Sequence, residues 1–70
     1  MRYVDFRDAI REELHQNSDG LTWAELKERL DLPYKRPCPT WIKHLEQEIG
    51  LLRVLGQGRI YVWKVRSKSR

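Results

Sequence analysis

The chain has 70 residues, 40% of them apolar and 34% charged, with a formal net charge of +4. A chain of this length builds one small core, and its composition fits a soluble globular domain rather than a disordered segment. No apolar run approaches the roughly 18–20 residues of a membrane span and no secretory pattern follows Met1, so an intracellular protein without a membrane partner is expected.

The first segment, "YVDFRDAIREELHQN", spaces Tyr3, Phe6, Ile10 and Leu14 by three and four residues. That spacing predicts a helix with one apolar stripe. Arg7 and Arg11 alternate with Asp8, Glu12 and Glu13 on its outer side, and "SDG" ends it, with Gly20 free to take a positive φ. His15 falls in the last turn, where the helix dipole favours positive charge, and a structural role is expected for it. In "LTWAELKERL", Thr22 and Glu25 have the spacing of a capping box, with Leu21 and Leu26 at the positions of a hydrophobic staple. Pro33 ends this second helix near Asp31 or Leu32, and the "GLT" before it offers a short extended pairing to a later sheet.

The connector "DLPYKRPCP" carries Pro33, Pro37 and Pro39. Proline at the first position of a helix costs no hydrogen bond, so a third helix is expected from about Pro39 to Ile49, with Gly50 as the residue after its cap and Leu51 folding back on Leu45.

"LRVLGQGRIYVWKV" then reads as two strands around a glycine-bracketed turn. A two-residue Gln57-Gly58 turn sets Leu52 opposite Trp63 and Val54 opposite Tyr61, so that Leu52, Val54, Tyr61, Trp63 and Val65 share a face. A three-residue Gly56-Gln57-Gly58 loop groups Leu52, Val54, Ile60 and Val62 instead. A slip of one residue exchanges every side chain between faces, and the first register is the expected one. The domain is expected to span residues 1–65, with "RSKSR" over 66–70 as a basic disordered tail.

Charge is divided along the chain. Residues 1–31 hold five Lys/Arg against eight Asp/Glu, whereas residues 32–70 hold nine Lys/Arg against only Glu46 and Glu48. Such asymmetry points to one basic face and a polyanionic partner.

The order of elements, with capped "LTWAELKERL", helix "PTWIKHLEQEIG" and the hairpin "LLRVLGQGRIYVWKV", resembles a winged helix-turn-helix domain from about Tyr3 to Val65. The resemblance implies an α+β fold, a three-helix bundle with a C-terminal β-hairpin wing. It also implies that the third helix enters the DNA major groove while the wing touches the adjacent backbone. The connector is longer and richer in proline than the family's common three- or four-residue turn.

The third helix supports that expectation on its own residues. At about 100° per residue, Ile42, Leu45 and Ile49 share one side while Thr40, Lys43, His44 and Gln47 face the other. Glu46 and Glu48 lie at the flanks, leaving the outward ridge free of negative charge. Gln can pair with adenine through two hydrogen bonds, and Lys can reach guanine or a phosphate. Thr40 and the first-turn N–H groups can hold a phosphate, with Lys35 and Arg36 just before them. Arg53, Gln57 and Arg59 belong to the wing and are expected at the phosphate backbone. Trp41 is expected to pack against the domain edge, and Trp23 and Trp63 to enter the core.

No catalytic set emerges. The single cysteine, Cys38, excludes an internal disulfide, and with His44 it gives two soft ligands, too few for a closed zinc site. "GQG" is too short for a phosphate loop. No enzyme, cofactor or metal site is expected. The expected function is duplex DNA binding as a small transcriptional regulator. The alternatives are a protein-interaction winged helix, using the acidic first helix or the wing aromatics in a homodimer or larger assembly, and an RNA or single-strand binder.

Overall fold

The computed structural model describes residues 2–65, so the expected tail over 66–70 lies outside the described residues. Helix α1 runs Tyr3–Gln16, strand β1 is Leu21–Thr22, and helices α2 and α3 are Trp23–Leu30 and Pro39–Glu48. Strands β2, Leu51–Leu55, and β3, Tyr61–Val65, complete an α+β arrangement of three helices and a three-stranded antiparallel sheet in the order β1-β3-β2. No helix among the described residues is long and apolar enough to cross a membrane.

Local signals place the helix ends. Thr22 caps α2 by accepting from the Glu25 N–H at 3.2 Å, while the Glu25 carboxylate accepts from the Thr22 N–H at 2.9 Å. This reciprocal pair satisfies two donors that a helix start leaves open, and the flanking Leu21 and Leu26 are both buried. Asp31 closes α2 in the left-handed region at φ 53. Pro39 opens α3, and Gly50 follows its cap at φ 70, as the sequence predicts.

The apolar stripe of α1 delivers Phe6, Ile10 and Leu14 to a core completed by Leu21, Leu26, Leu32, Ile42, Leu45, Leu51 and Trp63. Rings extend that core outward. Phe6 lies 6.2 Å from Trp23, 6.1 Å from Tyr34 and 4.9 Å from Trp41, centroid to centroid. Trp23 in turn meets Trp63 of β3 at 5.4 Å. The connector is held by the same cluster, through the Tyr34 ring and through the Trp23 indole N–H, which donates to the Lys35 carbonyl at 3.0 Å.

The hairpin departs from the expected register. Leu52 pairs with Lys64, Arg53 with Trp63, and Val54 with Val62, one residue away from the register of a two-residue turn. The turn uses Gln57, Gly58 and Arg59, because both Gly58 (φ 67) and Arg59 (φ 62) take left-handed backbone. The slip moves Leu52 and Val54 off the core face, and Leu51 and Arg53 take their places beside Trp63 and Val65. Tyr61 shares the inner face with Trp63 as expected, yet it lies beyond the core and is 49% exposed. Leu52, Val54, Ile60 and Val62 do share a face by strand alternation, as the longer loop predicts, but it is the solvent face.

Two contacts outside the core invite measurement. Gly20 holds φ +94 against β3, and a Cβ there would lie 2.5 Å from Val62 Cγ1 and 2.9 Å from the Trp63 carbonyl oxygen. Gly58, at φ +67, has nothing within 4 Å of such a Cβ. Gly58→Ala is therefore expected to cost about 1–2 kcal/mol from backbone strain alone, and Gly20→Ala about 1–3 kcal/mol more from overpacking, read by urea unfolding. Equal costs would contradict the close approach. The second contact clasps α1 to α3, where the Glu48 carboxylate accepts from Arg7 Nη1 at 2.9 Å and from the Tyr3 hydroxyl at 3.2 Å. The Arg7 hydrogen bond holds the Glu48 carboxyl below its ordinary range. A depressed carboxyl stabilises the fold above its unfolded value of about 4.3, and that contribution is lost as pH falls through the folded value. Wild type is expected to exceed Glu48→Gln in stability at about pH 6, with the gap narrowing as the pH falls below the unfolded value and on through the lower folded one; a gap independent of pH would contradict the clasp.

Candidate nucleic-acid interface

α3 sorts its side chains as its periodicity requires. Ile42 and Leu45 are buried, whereas Thr40, Lys43, His44 and Gln47 are exposed. The two carboxylates of α3 do not stand free beside that ridge. Glu48 is engaged by Arg7 and Tyr3, and Glu46 Oε2 lies 3.8 Å from Arg53 Nη2 on β2. Lys43 forms no ion pair among the described residues. The outward side of α3 thus presents donors and a free cation, with its anions drawn toward α1 and the hairpin.

The other expected contact residues divide into two groups. Lys35 and Arg36 are exposed in the connector that leads into α3, and Gln57 and Arg59 are exposed at the hairpin turn. The side chains of these four form no ion pair or hydrogen bond among the described residues, and Lys35 is engaged only through its carbonyl, by Trp23. His44 and Arg53 are already engaged. His44 packs 5.6 Å from the Tyr3 ring with its Nδ1 3.8 Å from Glu48. Arg53 lies 5.4 Å over the Tyr61 ring while facing Glu46, so it braces the hairpin against α3.

Trp41 packs against Tyr3 at 5.4 Å and Tyr34 at 5.7 Å, in the edge position expected of it. The acidic half of the chain lies on α1 and α2, where Glu13 pairs with Arg29 at 3.1 Å and bridges the two helices. Cys38 is exposed just before α3, and no group of three or more His, Cys, Asp or Glu suited to a metal ion occurs among the described residues.

The pairing of Glu46 and Glu48 with Arg53 and Arg7 is a feature that sequence reasoning missed. Helical spacing puts the acids at the flanks, but only the tertiary fold brings an arginine to each. The apolar outer face of the hairpin was also missed. Its signal lies in "LLRVL", where apolar residues do not alternate cleanly with polar ones. Comparison of this chain with protein-family models, curated proteins and solved structures finds no match in any of the three.

Proposed function

We propose that this chain is a duplex DNA-binding module of the winged helix-turn-helix kind, acting as a small transcriptional regulator. In this reading α3 enters the major groove and the β2–β3 hairpin is the wing on the flanking backbone. The observation that carries the reading is the outward ridge of α3, where Thr40, Lys43 and Gln47 are exposed while both neighbouring carboxylates are paired with arginines.

The roles follow from chemistry. Gln47 offers the paired donor and acceptor that read adenine, and Lys43 reaches guanine or a phosphate. Thr40 and the α3 N-terminus hold a phosphate beside Lys35 and Arg36. Gln57 and Arg59 contact the backbone from the turn. His44 borders the ridge on the α1 side, and Arg53 positions the hairpin. The element order and the β1-β3-β2 sheet support the same reading. A single-strand reader would need open rings to stack bases, whereas Tyr34 and Trp41 are packed together and Tyr61, though half exposed, has Arg53 over one of its faces.

Binding to random duplex DNA is expected to weaken with salt at about −0.9 in log K per phosphate neutralised. Lys43→Ala with Arg59→Ala should make that slope shallower by about one for each phosphate that is no longer neutralised. Circular dichroism should stay unchanged, since both side chains are exposed. Absence of binding to any duplex at low salt, or a double variant that binds as wild type does, would sink the reading.

A further inference from the structure

Apolar exposure in this molecule is concentrated. Among the described residues, six large apolar side chains are exposed, and five of them lie on the hairpin: Leu52 (44%), Val54 (49%), Leu55 (59%), Ile60 (54%) and Tyr61 (49%). The hairpin also ends the sheet, because β2 pairs with β3 on one side only. The Gly56 N–H donates to the Ile60 carbonyl at 2.7 Å. Alternation along an antiparallel ladder then turns the backbone groups of Leu52 and Val54 toward β3, and those of Leu51, Arg53 and Leu55 outward. Edge strands are ordinarily blunted by proline, charged side chains or a bulge. "LLRVL" carries no proline, and its one charge, Arg53, is turned to Glu46 of the same copy.

We propose that β2 is a homotypic docking edge, on which a second copy of this chain pairs antiparallel about a two-fold axis and packs beside Leu52 and Val54. A row of alternating N–H and C=O groups is self-complementary in that antiparallel sense, which gives a closed, isologous pair. Electrostatics favour a second copy here. The chain carries +4, so a cationic contact surface would repel its own copy, whereas the only charge on β2, Arg53, faces Glu46 at 3.8 Å within the same copy. The size suits a weak pair. Of the exposed set, Leu52, Val54 and Leu55 flank the edge itself, and at roughly 100 Å² apiece, with the strand backbone added, they give a transient interface below about 1,200 Å² in total. The expected assembly is a reversible, concentration-dependent dimer.

Sedimentation equilibrium without nucleic acid tests this independently of the DNA reading. Wild type is expected to dimerise with rising concentration. Val54→Lys places a charge beside the docked edge and should raise the dimer Kd by roughly tenfold or more. Leu55→Pro removes an outward N–H that β3 does not use and should do the same. Dilution of wild type should speed hydrogen exchange at the Arg53 and Leu55 amides and leave Val54 unaffected, a readout that stands even where a variant fails to fold. A wild type that stays monomeric at millimolar concentration overturns the proposal and leaves the edge to a different partner. So does a dimer that survives in both folded variants, or exchange at these amides that ignores dilution.

Discussion

Phe6 is 1% exposed, at the point where rings from α2, the connector and α3 converge. Tyr3 extends the group along α1, and Trp63 joins it to the sheet through Trp23. A chain this short buries a smaller share of its surface than a larger domain does, so each core side chain must cover more area. Aromatic rings meet that need, at about 150–250 Å² apiece, and tilted or edge-on pairs add about 0.5–1.5 kcal/mol beyond area. The cluster also solves a geometric problem. A connector with three prolines does not set the angle between α2 and α3 by itself, but Tyr34 and the Trp23–Lys35 hydrogen bond tie it to the core. The direction of α3 therefore depends on Phe6 and its neighbours more than on the turn.

The position of α3 and the charge of its surface are coupled. Packing α3 beside Tyr3 brings Arg7 within reach of Glu48, and packing it beside β2 brings Arg53 to Glu46. Each contact lies near the surface, where ion pairs contribute little to stability. Their larger consequence is electrostatic, because they pair both carboxylates of α3 with arginines while Lys43 stays unpaired among the described residues. A helix with the same sequence but no such neighbours would present a mixed field. The fold thus sharpens an asymmetry that the sequence already carries between its acidic first part and its basic second part.

How much of this could be read from residues alone depended on the range of the signal. The capping box at Thr22 and Glu25, the proline that opens α3 and the glycine that follows it act within a few residues, and all are found where expected. The outward set on α3 follows from helical period and was equally legible. The hairpin register was not. Its outcome turned on whether Arg59 joins the turn, and nothing in "GQGRI" marks an arginine for left-handed backbone. The engagement of His44 and Arg53 was hidden for a related reason, since their partners come from α1 and from the other side of the α3–β2 corner. Exposure of the hairpin's apolar residues followed from that same unreadable register.

An apolar hairpin is at first sight an awkward companion to the phosphate-facing role proposed for α3, yet the two proposed demands fall on different parts of the molecule. Backbone contact requires the turn, where Gln57 and Arg59 are open and polar. The proposed association would use the edge of β2, which carries Leu52 and Val54. A single helix in the major groove brings only about three or four side chains to base edges, and in the proposed reading Thr40, Lys43 and Gln47 would form one such set, with His44 at its border. Doubling that set on a two-fold axis is the usual route from a short half-site to a selective palindrome. A dimer joined through β2 would fix the spacing between two α3 helices by the geometry of a continuous sheet, with no additional helix. Under the two proposals together, the side chains that look misplaced on a DNA-binding wing would be the ones that give a 70-residue chain a second half-site.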